Sequence, residues 1–394
     1  MIGTDMAAPG DVIGPVDMGP VAHGGHFVAR FQGRVIFVRH TLPGEQVMVR
    51  LTDVSHDRFW RGDATQILRT SPDRVEPPCP VAGVCGGCDF QHVTPEAQRR
   101  LKADVVAEQL SRLAGIEREV CVEPLPGTSG DGLGWRTRMR YRVHDGRAGL
   151  LAHRSAHIVA LPEGGCRIAD PRGPHDEALQ AYCADAGEEI LVTTASSGAS
   201  VFSDGRVLAG EEIVREQAGG HDFQVRADGF WQVHPGAAST FSRVVADSLE
   251  PEPGEVALDL YCGVGVFAAV LVDAGCRVHG VEADRQAISW ARRNVPAAHF
   301  VVARVERAFH ALPHRADLVV LDPPRTGAGK RVVAAIAALR PRRIGYVACD
   351  PAALARDLKA FARAGYRLNS LRVFDAFPMT HHMECIAIVE ASGT

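Results

Sequence analysis

Two residues near the end of the chain have types and settings suited to chemistry. Cys349 lies in "VACDPAALARDL" (347–358), between a short apolar run and a helix-forming one. Glu384 opens the apolar run of "FPMTHHMECIAIVE" (377–390). A cysteine at a strand end is a nucleophile if its thiolate can be reached. A carboxylate at the head of a buried strand is desolvated, which lifts its pKa toward the range of a general base. Each residue also has a plainer reading. Free cysteine is among the most buried residue types, and most acids at strand ends are simply solvated. The residues around them decide.

"VALDLYCGVGVF" (256–267) reads as strand, glycine turn and helix, with Asp259 before the turn and Tyr261 and Gly263 inside it. Glycines there let a ligand approach the backbone at the carboxyl end of a first strand. About twenty residues on, "HGVEA" ends the next strand in Glu282, an acid placed to accept both ribose hydroxyls of an adenosine. The pattern is not G-x-G-x-x-G, and it points to a class I S-adenosylmethionine pocket. The alternative is a tight turn in an unrelated Rossmann-like domain. "LVVLDPPRTG" (318–327) ends a third strand in Asp322. Amino-group methyltransferases often place an aromatic after Asn/Asp-Pro-Pro to stack the target base. Arg325 stands there instead, which favours carbon as the methyl acceptor.

Carbon 5 of a pyrimidine is a poor nucleophile. A thiolate added to carbon 6 makes carbon 5 enolate-like, and a base must then remove the carbon-5 proton so that the enzyme is released. That chemistry needs one cysteine and one carboxylate at a shared crevice, the roles open to Cys349 and Glu384. Cys262, in the glycine turn, is a competing thiol with the setting of a packing residue. His381 and His382 read as surface histidines or as groups that orient substrate.

Sulfur has a second setting. "CPVAGVCGGC" holds Cys79, Cys85 and Cys88 within ten residues, and Cys166 in "PEGGCRIADP" is the best fourth. Four thiolates suit either an iron–sulfur cluster or zinc. Cys121 and Cys183 have no such context.

The elements that must position these groups change character along the 394 residues. "HFVARFQGRVIFVRHTLPGEQVMVRLTDV" is β-branched and broken by turn signals, which predicts a small barrel. "TPEAQRRLKADVVAEQLSRLA" (94–114) predicts a helix capped by Thr94, begun by Pro95, stopped by Gly115 and striped by Leu101, Val105, Leu110 and Leu113. Residues 120–225 read as β-rich, with Arg136, Arg138, Arg140 and Arg142 on one strand face. From about 226, short apolar strands alternate with Ala-rich helices, which predicts a doubly wound α/β sheet. No fixed-period repeat is visible.

Hydrophobic residues make up 46% and the formal charge is −4, which argues against a chain coated in positive charge but leaves room for a local basic groove. No apolar run reaches 18 residues and the start lacks a basic, then apolar, leader. A cytoplasmic protein without membrane contact is expected. Ten cysteines in a reducing compartment point to metal or catalysis rather than disulfides.

Taken in order, "GRVIFVRHTLPGEQVMVRL", "CPVAGVCGGCDFQH", "FWQVHPGAA", "LDLYCGVGVF", "GVEA", "LDPPRTG", "ACDPAALARDL" and "FPMTHHMEC" resemble the RNA 5-methyluridine (uracil-C5) methyltransferases over nearly the whole chain. The resemblance implies a TRAM-like RNA-binding barrel over residues 1–68, a central domain over 69–93 and 119–225, and a class I methyltransferase domain over 94–118 and 226–394. It implies that the helix at 94–114 packs with the catalytic domain. It matches Cys349 to the nucleophile, Glu384 to the base, Asp322 to an acid at the uracil and S-adenosylmethionine site, Gln232 to a glutamine contacting ligand, and Tyr261 and Glu282 to residues holding S-adenosylmethionine. It implies a [4Fe-4S] cluster on Cys79, Cys85, Cys88 and Cys166, with zinc as the physical alternative. The implied substrate is a uridine of ribosomal RNA in preference to transfer RNA, modified by a monomer. Rival readings are an RNA methyltransferase for another base and a non-catalytic RNA-binding module.

Three departures stand out. Val266 replaces a polar residue after the glycine turn, the stretch 299–309 lacks an acid at the position where some members use one near the adenine, although Glu306 lies close by, and "CDP" replaces "CNP". Asp350 beside the nucleophile raises the thiol pKa unless its side chain points away. Arg30, Arg34 and Arg39 in the barrel and the Arg136–Arg142 face read either as phosphate contacts or as solvated strand faces, and Phe230 or Trp231 read either as base-stacking or as core residues.

Overall fold

The computed structural model describes residues 7–392; residues 1–6 and 393–394, which the expected first and last domains include, lie outside the described residues. The first unit is a six-stranded sheet of β1 (Val12–Asp17), β2 (Val21–Ala22), β3 (His26–Phe31), β4 (Arg34–Arg39), β5 (Gln46–Asp53) and β6 (Phe59–Arg69), in the order β1-β5-β6-β4-β3-β2. Alternate residues of these strands, among them Phe27, Ile36, Val38, Val47, Val49 and Trp60, turn into one core. α1 (Pro95–Gln109) follows, continued by a π-helical turn to Ala114 and stopped by Gly115 in the left-handed region, φ 71°. Thr94 is its N-cap residue but makes no side-chain capping bond.

β7 (Val122–Pro124) precedes a second six-stranded sheet built from β8 (Arg138–His144), β9 (Arg147–Leu151), β10 (Ile158–Ala160), β11 (Glu189–Ala195), β12 (Gly198–Ser203) and β13 (Arg206–Ala209), with α2 (Asp176–Ala181) between β10 and β11. The hairpin of β14 (Ile213–Ala218) and β15 (His221–Arg226) leads into the α/β unit. That unit comprises α3 (Ala237–Leu249), β16 (Val256–Leu260), α4 (Val266–Asp273), β17 (Arg277–Glu282), α5 (Arg285–Asn294), β18 (His299–Val302), α6 (Val305–Ala308), β19 (Leu318–Leu321), α7 (Gly329–Ala338), β20 (Arg343–Ala348), α8 (Pro351–Arg363), β21 (Tyr366–Asp375) and β22 (Glu384–Ala391).

Its sheet runs β18-β17-β16-β19-β20-β22-β21-β7, the doubly wound class I methyltransferase order with β22 antiparallel beside β20 and β7 added at the edge. Residues 122–124, expected in the central domain, therefore pair into the catalytic sheet. The strands alternate between two cores. Leu318 and Val320 of β19 pack with Phe241, Leu271 and Ile288, whereas Val319 and Leu321 pack with Val332, Leu354 and Phe361. This double burial is why the strands read as continuous apolar runs. The β14–β15 hairpin joins the first of these cores through Val214, Phe223 and Val225.

α1 is shared. Ala97, Leu101 and Val105 enter the core of the N-terminal sheet, while Val106 and Leu110 enter the catalytic core. Its Lys102 is fully buried and reaches Asp375 Oδ1 at 2.5 Å and the Phe377 carbonyl at 3.0 Å. Gln98 accepts from Met379 N at 2.8 Å and donates to the Phe90 and Val93 carbonyls. These bonds fix the segment that delivers Glu384.

Two arginine rows differ from expectation. Arg138 is buried against Glu216 at 2.9 Å beneath the β14–β15 hairpin, and Arg140 and Arg142 both pair with Glu189. In the N-terminal sheet, Arg39 is bidentate to Asp63 and Arg34 lies 4.6 Å over the Trp60 ring. Arg39 and Arg138 are thus engaged by acids, while the Arg140 and Arg142 side chains remain 62% and 42% exposed beside Glu189.

Lys102→Ala leaves Asp375 without its cation in the interior, and the unfolding free energy is expected to fall by about 3–5 kcal/mol. Urea unfolding measures this; a loss below about 1 kcal/mol contradicts the assignment.

Candidate active site

The parallel strands β16, β17, β19 and β20 all end at one edge of the sheet, and each end delivers a functional side chain. Tyr261 follows β16, Glu282 closes β17, Asp322 follows β19 and Cys349 follows β20. β22 runs the other way, so its first residue lies at the same edge. The register pairs Ala348 with Cys385, and one further step sets Cys349 opposite Glu384. Cys349, Glu384, Gln232, Tyr261, Gly263, Glu282 and Asp322 all line a single cavity of about 880 Å³.

The turn after β16 is held in an unusual backbone. Tyr261, Gly263 and Gly265 have φ of 64°, 51° and 95°, and only glycine takes that region freely. Glu282 is tied to the turn: its carboxylate accepts from Gly263 N at 3.3 Å, Ala283 N at 2.6 Å and Asp284 N at 2.9 Å. Asp259 lies buried behind. One oxygen accepts from Ala268 N at 2.9 Å and the other has no partner among the described residues. Burial lifts its pKa to about 7, and Asp322 and Glu282 add to the rise. An orphaned carboxylate oxygen behind a glycine turn, a ribose-type acid and a wide cavity fit a nucleoside ligand.

Asp357 of α8 braces the loop after β19. It accepts from Tyr346 Oη at 2.7 Å, Ala328 N at 2.8 Å and Gly329 N. The loop bearing Asp322 and Arg325 is therefore tied to the helix that begins beside Cys349.

The electrostatics are unusual for a nucleophile. Burial pushes the Cys349 thiol up to about 11, and Glu384 and Asp322 raise it further, while Arg325 opposes them. Burial also raises Glu384 and Asp322, each aided by a neighbouring acid, and Arg325 again opposes the shift at Glu384. Burial and mutual repulsion thus disfavour the ionised forms of the Cys349 thiol and of the Glu384 and Asp322 carboxyls. Asp350 does not face the sulfur. Its Oδ1 caps α8 through Ala353 N at 2.7 Å and its Oδ2 lies 3.1 Å from His23 Nε2. Cys262 is buried, with its thiol raised chiefly by burial.

Arg325, read in sequence only as a departure after the Asp-Pro-Pro motif, is the cation that acts on both the thiol and the carboxyl. Glu306, noted in sequence near the expected adenine, lines the cavity, and so does Arg304, which sequence reasoning missed. His381 and His382 are half-buried rather than freely solvated. His381 Nδ1 is bonded to Asp89 at 2.6 Å, and burial lowers His382 to about 3. Phe230 and Trp231 both line the cavity; Phe230 is 74% exposed, and Trp231 is buried against Phe223.

Cys79, Cys85, Cys88 and Cys166 line a second cavity of about 410 Å³. Burial is the leading cause of the raised thiols at Cys85, Cys88 and Cys166, and the sulfurs act on one another. Among the described residues, no three Cys, His, Asp or Glu side chains close around one ion position. The donor set, four thiols from two separate loops facing one cavity, is nonetheless that of a sulfur-ligated cluster. Arg136 lines both cavities.

The chain matches family models described as "tRNA (Uracil-5-)-methyltransferase" over residues 307–392 and "Methyltransferase small domain" over residues 238–341. It is 45% identical to a protein of Streptomyces avermitilis named an RNA methyltransferase, over 96% of this chain and 98% of that one. It is 32% identical to the 23S rRNA (uracil(1939)-C(5))-methyltransferase RlmD of Acidithiobacillus ferrooxidans, over 93% and 94%. The crystal structure of Pyrococcus abyssi tRNA (uracil-54, C5)-methyltransferase with S-adenosyl-L-homocysteine superposes with a TM-score of 0.73 at 24% identity, covering 95% of this chain and 99% of that one, which shows a shared fold. Among the described residues no helix is long and apolar enough to cross a membrane.

Arg325→Ala removes the cation opposing the rise at Cys349. Alkylation of the peptide 347–358 by iodoacetamide is expected to climb toward pH 11 in the unaltered protein and to need still higher pH in the variant. Equal profiles would contradict this electrostatic assignment.

Proposed function

The chain belongs to the RNA uracil-5-methyltransferase family, and on that premise we propose that it methylates carbon 5 of a uridine through a covalent bond between Cys349 and carbon 6. The observation that carries the reading is the register that sets Cys349 opposite Glu384 at the edge of a cavity lined by Tyr261, Glu282 and Asp322.

S-adenosylmethionine supplies the methyl group. Glu282 takes the ribose hydroxyls, and Tyr261 and Gly263 border the donor. Gln232 and Asp322 hold the uracil edge and Phe230 covers its face; Asp322 also borders the methyl donor. Cys349 Sγ bonds to carbon 6 as its proton passes to a carboxylate of the site, and the electron pair of the 5,6 double bond moves onto the carbonyl oxygen at carbon 4. Carbon 5 then takes the methyl group, leaving S-adenosylhomocysteine. Glu384 removes the carbon-5 proton, the double bond re-forms and Cys349 leaves as thiolate. A sulfonium in the same cavity favours ionised carboxylates and so opposes the effect of burial on Glu384 and Asp322.

The same reading assigns Cys79, Cys85, Cys88 and Cys166 to a [4Fe-4S] cluster of structural role, which when bound ties two loops of the central region together; zinc is the alternative. It also assigns RNA contact to the N-terminal sheet. The support is a platform of Phe59, stacked on His56 at 4.4 Å and edge-on to Phe37 at 5.4 Å, with the Arg61 guanidinium 5.3 Å over Phe59. Stacked rings under a cation suit unpaired bases better than the arginine rows do. Ribosomal RNA is the favoured substrate because the RlmD relative is named for it; transfer RNA is the second reading.

Cys349→Ala is expected to abolish 5-methyluridine at the target site in cells, and Glu384→Gln to accumulate a gel-stable protein–RNA adduct, because methylation proceeds but elimination fails. Mapping 5-methyluridine in ribosomal and transfer RNA of a deletion strain identifies the substrate. Retained modification with Cys349→Ala sinks the mechanism. Purified under anaerobic conditions, the protein is expected to carry about four iron and four sulfide per chain, lost in Cys166→Ser. Stoichiometric zinc without sulfide selects the other metal.

A further inference from the structure

The N-terminal sheet meets both arms of the thiol–carboxylate pair through one turn, residues 23–25 between β2 and β3. His23 Nε2 lies 3.1 Å from Oδ2 of Asp350, the residue after Cys349. Gly25, at φ +77°, lies so close to the other arm that a Cβ there would stand 2.7 Å from His381 Cβ, three residues before Glu384. On their far sides both partners are anchored. Asp350 caps α8 through Ala353 N, and His381 is held by Asp89.

The His23 and Asp350 side chains are 40% and 23% exposed, and ion pairs so open to solvent contribute little to stability. Orientation is the better account of the contact. A carboxylate next to a nucleophile is a liability, since an anion near sulfur disfavours the thiolate. Asp350 has two oxygens to place. The helix N-terminus takes one and His23 takes the other, so neither is free to turn toward Cys349.

We propose that the turn 23–25 is a positioning element for methyl transfer: His23 holds the Asp350 carboxylate away from the Cys349 sulfur, while the Gly25 backbone seats the segment that delivers Glu384. The N-terminal sheet is then part of the catalytic geometry as well as a surface for RNA. The role rests on the methyltransferase reading above.

The experiment is a double-mutant cycle on the single-turnover rate of adduct formation with 5-fluorouridine RNA, alongside RNA and S-adenosylmethionine affinities. His23→Ala is expected to slow adduct formation about tenfold with both affinities unchanged, because small displacements of reacting groups are felt in rate. His23→Gln, which keeps a donor, restores most of the rate. In the Asp350→Asn background, His23→Ala costs less than about twofold, since no charge is left to steer. Gly25→Ala pushes the turn off His381 and slows the same step by a route independent of the charge. A His23→Ala rate equal to that of the unaltered protein, or the same loss in both Asp350 backgrounds, overturns the proposal. An unaltered protein that forms no adduct at all refutes the methyltransferase reading instead, and the two failures are told apart by that control.

Discussion

The antiparallel pairing of β22 with β20 is the constraint on which the site depends. Parallel strands alone would deliver four side chains to the crevice and leave the last one without a partner across the sheet. Reversing the final strand brings its first residue, Glu384, to the edge where β20 delivers Cys349, and the register fixes the match. A slip of one residue would exchange Glu384 for Cys385, which is buried. Much of the surrounding structure serves to hold that register. Lys102 and Gln98 of α1 pin the segment leading into β22, and Asp357 of α8 pins the loop facing it.

Burial at this edge has a cost that defines the chemistry. Two desolvated acids, Asp322 and Glu384, share the crevice with the thiol, and Arg325 is the cation that acts against the shifts of Cys349 and Glu384. A raised thiol pKa lowers the thiolate fraction, which is the form that reacts with electrophiles. This differs from thiol enzymes that hold a standing thiolate beside a histidine. His382, close enough for Arg325 to lower it, is neutral at ordinary pH and forms no such pair.

How far the sequence revealed this depends on the range of the signal. Each strand end was legible, because Tyr261, Glu282, Asp322 and Cys349 follow short apolar runs whose pattern needs no partner to be read. All seven expected active-site residues line one cavity, and the four clustered cysteines line another. Signals that depend on what lies opposite were not legible. The acids Glu189, Glu216 and Asp63, which pair with members of the arginine rows, were not legible beside them. The adjacent histidines looked solvated, although Asp89 and the turn at Gly25 hold His381 and burial lowers the pKa of His382. Asp350 carried a question that only His23, more than three hundred residues away in sequence, answers.

The most direct test is to find which atom of the protein bonds to the pyrimidine. After reaction with 5-fluorouridine RNA and S-adenosylmethionine, nuclease and protease digestion followed by mass spectrometry should place a methylated fluorouridine nucleotide on the peptide 347–358, at Cys349. A nucleotide on the peptide bearing Cys262, or on none, would contradict the account.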